Sequence, residues 1–542
     1  MLFNSPVFIA GFLPLCVVGF FVFGMMGRQQ LALAWLTGMS FVYYAWWSVA
    51  CVPLLLGSIA FNFLIGRKLA RSPSKRLLVI GVAANALLLG IFKYTGFIGH
   101  TISGALGLDW HIPDIPLPLA ISFFTFQQIA FLADTYDGVA EEPRPLQYGL
   151  FITFFPHLIA GPITHHREMF PQFDDRRIFR PRLDCISMGV TIFLIGLFKK
   201  VVIADGVSAF AKPVFDTVAQ GVAPSLLEAW GGALAYAMQI YFDFSGYSDM
   251  AIGLALLFGI RLPLNFASPY KATGIIDYWQ CWHMTLTRFL TAYIFNPVIL
   301  AFTRKRLAAG KPVLRPGRTS FSTFLVLLAA PTMLTMFVSG VWHGAGWQFI
   351  IFGLLHGVFL TVNHGWRTLK ARWKWWSEKA FVPFRHAASV LTTFLCATLA
   401  LIFFRSADVS TALRMVGGMI GSNGFALPDF LGRIAIVREL GHALDIPIAA
   451  LNLFSIHEFY WLPILFFIVW FLPNTEQWMR HYQTALNAKL RAIWYEKRFL
   501  RDSVMAVWHP TMACACVVSV IGMFALLKAF SNAPTEFLYF KF

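Results

Sequence analysis

Apolar runs recur along the whole chain, at residues 77–96, 188–204, 321–340, 387–404, 511–527 and 460–472 with its flanks. Crossing about 30 Å of hydrocarbon takes roughly 20 apolar residues in a helix, so this spacing predicts a polytopic, all-α membrane protein. Three further apolar segments, near 6–25, 31–48 and 51–66, precede the first basic cluster. Basic residues concentrate between the runs, at 67–76, 167–182, 304–318, 367–385 and 480–501. Such loops mark the cytoplasmic side, which places the sparsely charged stretches 99–118 and 407–457, and the N-terminus, outside. Between 67 and 167 the pattern offers three apolar segments where an even number is required. Residues 151–162, FITFFPHLIAGP, are short and broken by Pro156, Gly161 and Pro162, so they are expected to enter and leave by one face.

From 182 to 304 the apolar runs 188–204, 230–244, 247–260 and 275–299 are interrupted by glycine, proline and polar residues. Irregular backbone at membrane depth survives only where protein or water satisfies it, so this region is expected to surround a cavity. Beyond it lie two crossings near 320–340 and 345–363, one at 386–405, an outer segment of about 407–458, and two last crossings. The outer segment contains DVSTALRMVGGMIG, an amphipathic stretch expected to lie flat on the membrane or to serve as a simple tether.

Composition agrees with a bilayer protein: 58% of the 542 residues are hydrophobic and 13% charged, with a mean hydropathy of +0.65. No stretch reads as a separate soluble domain, so 1–542 is taken as a single membrane domain. The net charge of +17 would suit nucleic acid only if it formed a patch on a soluble fold, and here it lies between spans. The N-terminus lacks a basic n-region and a cleavage site and reads as a retained span. Seven scattered cysteines have neither metal-ligand nor disulfide spacing.

Polar groups inside apolar runs are costly and carry the candidate chemistry. They fall in Val341-Trp342-His343-Gly344-Ala345-Gly346, followed by His356 and His364; in Tyr278-Trp279-Gln280-Cys281-Trp282-His283; in 241–249, YFDFSGYSD, with Asp243 and Asp249; and in Phe155-Pro156-His157. A neutral histidine, with an ordinary pKa of about 6.5, can take a proton from an attacking hydroxyl or thiol. Each motif also has a plain reading. A Trp-His pair can be an interhelical hydrogen bond, and the aspartates can satisfy broken backbone. His165-His166-Arg167-Glu168 has no second ligand pair with metal spacing, and no GxSxG, Walker or Rossmann pattern is present. Residues alone give a membrane protein with a histidine-containing polar cavity.

Taken in order, these landmarks resemble the bacterial membrane-bound O-acyltransferases, in the branch that acetylates alginate. They include Tyr43-Tyr44-Ala45-Trp46-Trp47, Phe92-Lys93-Tyr94, Leu119–Phe126 with Asp134 and Tyr136, Phe155–Pro162 and Gln239–Gly253. Asn265-Phe266 with Pro269-Tyr270, Trp282-His283, Gly340–Ala345 and Phe404-Arg405-Ser406 follow. The resemblance implies a helical bundle with re-entrant segments and a central tunnel, with the catalytic core at about 113–365. It implies an active-site histidine at His343, a second functional histidine at His283, and a cavity lined by Asp243, Asp249, Trp342, Trp282, Asn265 and His157, with no metal and no bound cofactor.

The implied reaction moves an acetyl group from a cytoplasmic thioester, acetyl-CoA or an acyl carrier protein, to the periplasmic side for O-acetylation of an exported alginate- or cellulose-like polysaccharide. A bacterial inner-membrane location, surrounding lipids, a periplasmic esterase-like acetyltransferase and polysaccharide-synthesis machinery are implied as partners, and nucleic acid is not. D-alanyl or other acyl transfer to an envelope polymer or protein, and a transporter without chemistry, remain alternatives. The chain departs from the branch where two arginines usually precede the Trp-His pair, here Gln280 and Cys281. It departs again where an Arg-Asp pair is replaced by Thr291-Ala292, and in lacking Leu-Gly-Gly after Phe295-Asn296-Pro297.

Overall fold

The computed structural model describes residues 1–110, 112–113, 115–315, 319–372, 382–444, 446–449, 453, 455–486 and 507–538. Parts of three basic clusters (316–318, 373–381 and 487–501), of the outer loop (111 and 114) and of the outer segment (445, 450–452 and 454) lie outside the described residues. Among the described residues nine helices are long and apolar enough to cross a membrane. They are Val7–Met25, Val49–Arg71, Lys75–Leu106, Leu183–Ala219, Met284–Ala308, Phe321–His343, Trp347–Lys370, Pro383–Arg405 and Met512–Ser531. The protein is a multi-pass, predominantly helical membrane protein.

The chain divides into two compact units. One comprises Met1–Val202, Asp243–Ala267 and Pro473–Phe542. Its helices are held by small residues and buried amides, as expected where lipid offers no hydrophobic drive between helices. A Cβ at Gly196 would lie 2.6 Å from the Gly246 carbonyl oxygen, and one at Gly189 would lie 2.7 Å from that of Gly253. These two glycine contacts, seven residues apart on each strand of the seam, let helix Leu183–Phe198 approach helix Leu226–Leu257 backbone to backbone. Asn85 Nδ2 donates to Asn62 Oδ1 at 2.6 Å, and Asn62 Nδ2 and Ser58 Oγ each donate to Gln128 Oε1 at 2.8 Å. This network ties three helices together. Phe3, Phe12, Tyr43, Phe155 and Tyr247 form the aromatic centre, with Phe3 and Tyr247 stacked at 4.9 Å and Phe12 edge-on to Phe155 at 5.3 Å.

The segment expected to re-enter is broken as anticipated, into helices Pro145–Thr153 and Phe155–Leu158, neither long enough to cross. The expected break between 230–244 and 247–260 is not found. A single helix, Leu226–Leu257, runs through Ser245-Gly246. Glycine is tolerated there because the Gly196 backbone fills the space a side chain would take, and the flanking aspartates are satisfied by side chains from another helix.

The other unit comprises Ile203–Phe242 and Ser268–Leu472. Helices Phe321–His343 and Trp347–Arg372 form a close hairpin. A Cβ at Gly340 would lie 2.4 Å from the Phe349 carbonyl oxygen, and one at Gly353 would lie 2.3 Å from that of Met336. The run 275–299 breaks as expected: helix Ile275–Trp279 ends, and helix Met284–Leu290 starts after His283, whose φ of 43° is left-handed. The amphipathic stretch forms helix Val409–Met419. Its inner face, Thr411, Ala412, Met415, Gly418 and Met419, is buried by protein. Arg414 Nε donates to the Val218 carbonyl at 3.1 Å, and Trp230 Nε1 donates to that of Met419 at 3.0 Å. One short parallel strand pair, Leu427–Pro428 with Ile448–Ala449, follows.

Candidate active site

Helix Phe321–His343 ends on His343 because Gly344 leaves the helical region, with φ −168° and ψ 160°. The next helix begins at Trp347, so a three-residue turn holds the histidine between two spans. Gln348 Nε2 donates to the Ala407 carbonyl at 2.9 Å, which ties this turn to the end of helix Val382–Arg405. His343 is 3% exposed, and its ring lies edge-on to Trp342 (4.9 Å), Phe404 (5.3 Å) and Phe352 (5.6 Å). His283, fully buried, approaches Trp342 with its ring centroid 6.2 Å away. The indole of Trp342 therefore touches both histidines. A non-glycine residue in the left-handed region is uncommon and costs on the order of 1–3 kcal/mol. Here it turns the chain sharply enough to aim His283 inward at the start of its helix.

Trp282 stacks on Tyr278 at 5.7 Å and on Tyr270 at 6.2 Å, and the Tyr270 hydroxyl donates to the Ala237 carbonyl at 2.7 Å. Trp279 Nε1 donates to His356 Nδ1 at 3.3 Å. His356 belongs to this cluster, although sequence reasoning assigned it no role. Its signal was the spacing Phe349, Phe352, His356, which places all three on one helical face. A cavity of about 340 Å³ opens beside Trp279, lined among others by Gln280, Thr287, Thr291, Thr332 and Thr335. Gln280 and Thr291 are two of the positions where the chain departs from its resemblance. At these two positions an amide and a hydroxyl stand where a guanidinium would bring charge.

The remaining sequence candidates lie in the other unit. Asp243 accepts a hydrogen bond from Lys200 Nζ at 2.8 Å and another from the Leu538 backbone N–H at 2.9 Å. Asp249 accepts from Lys199 Nζ and from Thr475 Oγ1, each at 2.6 Å. Two adjacent lysines lie about 100° apart around their helix, and two aspartates six residues apart are separated by about 120° around theirs, so each lysine meets its own carboxylate. Sequence reasoning missed Lys199 and Lys200, although a lysine pair inside the run LIGLFKKVVIA is itself an intramembrane ionisable signal. Asn265 Nδ2 donates to Ser248 Oγ at 3.2 Å. His157 Nδ1 lies 3.3 Å from Gln127 Nε2, which also donates to Thr164 Oγ1 at 3.1 Å. His165 and Glu168 form a helix cap, with Glu168 Oε2 accepting from the His165 N–H at 3.1 Å.

These features define a polytopic membrane protein whose spans bury a histidine–tryptophan cluster at the end of a helical hairpin. Residues 138–310 match the membrane-bound O-acyltransferase family. The peptidoglycan O-acetyltransferase of Helicobacter pylori is 39% identical over 471 residues, 80% of this chain and 84% of that protein. The probable alginate O-acetylase AlgI of Pseudomonas putida is 33% identical over the full length of both chains. The teichoic acid D-alanyltransferase of Bacillus subtilis is 28% identical over 47% of this chain and 61% of that protein. The chain belongs to the membrane-bound O-acyltransferase family.

Proposed function

We propose that this enzyme takes an acetyl group from a cytoplasmic thioester, acetyl-CoA or an acyl carrier protein, and delivers it to the outer side of a bacterial inner membrane for O-acetylation of an exported glycan. The observation that carries the reading is the burial of His343 and His283 against the one indole of Trp342. In the proposed step, a neutral nitrogen of His343 takes the proton of the attacking hydroxyl as its oxygen bonds to the thioester carbonyl carbon. Collapse of the tetrahedral adduct breaks the carbon–sulfur bond, and the imidazolium returns its proton to the departing sulfur. An ester and a free thiol result. A positioned base of this kind is worth about 10²–10⁴ in rate. His283 orients the reacting group through the shared indole, and the surrounding aromatic rings exclude water. In this reading the N-terminus is periplasmic, the hydroxyl acylated at His343 belongs to an intermediate acceptor, and an esterase-like acetyltransferase there moves the acetyl group from that ester to the sugar.

The similarity to alginate and peptidoglycan acetylating proteins over most of the chain supports acetyl as the group and a glycan as the acceptor. The shorter similarity to a D-alanyltransferase keeps D-alanyl transfer as a second reading. Chemical analysis of the modified polymer separates the two. The direct test compares acetyl content of exported and envelope glycan in cells carrying the wild type or His343→Ala at matched membrane levels. Loss of acetyl in the variant is expected, and undiminished acetylation would remove His343 from the mechanism.

A further inference from the structure

Helix Ile275–Trp279 is only five residues long, yet the turn that follows it delivers His283 to the indole of Trp342. So short a helix does not stand by itself, because most of its backbone N–H and C=O groups find no partner within it. Its N-cap is Gly274, which has no side chain to offer. Asn363, on helix Trp347–Arg372, supplies the cap from outside. Its Oδ1 accepts the Ile276 N–H at 3.2 Å, and a Cβ at Gly274 would lie 3.0 Å from that same oxygen. At the other end Trp279 Nε1 donates to His356 Nδ1 at 3.3 Å. Thr287 straddles the break, with Oγ1 donating to the Trp279 carbonyl and the backbone N–H to the His283 carbonyl, each at 3.0 Å. Between the two ends Asp277 Oδ1 meets Arg367 Nη2 at 3.3 Å. Residues 356, 363 and 367 lie within about 40° of one another around their helix, so one stripe holds the short helix along its length.

His356 does more than anchor one side chain. An indole N–H can only donate, so Nδ1 of His356 is the acceptor and its proton sits on Nε2. The ring stacks on Tyr278 at 6.1 Å with the planes 7° apart, and Tyr278 stacks on Trp282 at 5.7 Å with the planes 12° apart. That column ends one residue before His283. One turn earlier on the same helix, Phe352 stands edge-on to His356 at 4.8 Å and to His343 at 5.6 Å. The His356 ring, 1% exposed, is therefore set between the column that leads to one histidine and the phenyl that touches the other. The left-handed backbone of His283 requires such support, since a strained conformation persists only where its surroundings over-determine it.

We propose that His356 is a positioning residue for acyl transfer, fixing, together with Asn363, the short helix whose end presents His283 to Trp342 and His343. The proposal takes its reaction from the acyl-transfer reading, but one arm of its test needs no acyl donor, so the two can fail separately. In that arm the full-length protein, isotope-labelled on histidine and reconstituted in lipid, is recorded by magic-angle-spinning NMR. The ring resonances of His283 are those that vanish in His283→Gln. His356→Phe keeps a ring and loses the acceptor, whereas His356→Gln keeps an acceptor. His356→Phe and Trp279→Phe should each displace or split the His283 resonances, and His356→Gln should leave them near their wild-type positions. In cells at matched membrane levels, glycan acetyl should fall about tenfold or more in His356→Phe and in Trp279→Phe, as expected when reacting groups are misplaced. The double variant should be no worse than either single one, because both break the same bond, and His356→Gln should recover most of the acetyl. Unchanged His283 resonances in His356→Phe would overturn the proposal, as would wild-type acetyl content in that variant or additive losses in the double variant. It would equally fall if His356→Gln were as impaired as His356→Phe and both losses only tracked the loss of folded protein. Should the wild type acetylate no glycan, the acyl-transfer reading falls and the resonances alone decide whether His356 sets the position of His283.

Discussion

Lys200 and Asp243 meet with side chains only 2% and 3% exposed. Breaking a buried pair strands one charge, at about 3–5 kcal/mol, whereas replacing both members with apolar residues is often neutral. Asp243→Ala is therefore expected to lower the unfolding midpoint of the detergent-purified protein, and Lys200→Met/Asp243→Leu should recover most of the loss. Glu476, outside the spans, is a second buried acid, with Thr484 Oγ1 donating to its Oε2 at 2.5 Å. Burial pushes its pKa up to about 7, opposed by the Thr484 bond, with the Asp249 carboxylate adding to the rise and Lys199 opposing it. The folded value lies above the ordinary 4.5, so the stability this group supplies is complete below 4.5 and is lost as pH rises through about 7. Glu476→Gln should flatten the fall in thermal midpoint between about pH 5 and 8, and a fall of unchanged slope would assign it to other groups. His343 and His283 were legible in the sequence because each sits in a short motif beside a tryptophan. The roles of Lys199 and Lys200 were not, because their partners lie 50 and 43 residues away.

At the scale of elements, the closest helix crossing in the hairpin before and after His343 sets where that ring can sit. Gly340→Val would drive a side chain into the Phe349 carbonyl and should cost about 1–3 kcal/mol through overpacking. Because His343 lies one turn further along the same helix, acetyl transfer should fall by more than membrane abundance does. Gly365→Ala, whose nearest neighbour would be 3.6 Å away, serves as the control and should leave both unchanged. Helix lengths were legible where apolar runs were pure. They were misread at 226–257, where Gly246 and two aspartates look like breakers until Gly196, Lys199 and Lys200 are brought against them. The break before His283 was legible because polar residues, Asp277, Gln280 and His283 among them, interrupt the apolar run there.

At the scale of the molecule, the alternation of apolar runs and basic clusters was enough to read a multi-pass helical protein and to single out 151–162 as too short to cross. The outer segment was read only as amphipathic. Its burial against 205–229 depends on Arg414, Trp230 and Gly418 meeting backbone atoms that no periodicity reveals. The neutral wall formed by Gln280 and Thr291 was likewise invisible as a unit, since eleven positions separate them along the chain and a helix break intervenes.

The lysine pair bears on how the chain is made. Lys199 and Lys200 fall at the middle of the 37-residue helix Leu183–Ala219. A lysine at the centre of a lone span costs roughly 2.5–3.5 kcal/mol on insertion. During synthesis that helix emerges before the carboxylates that neutralise it. The charges of Lys199 and Lys200 are therefore neutralised by Asp249 and Asp243 only once residues 243–249 have been made, which couples the final packing of these two segments.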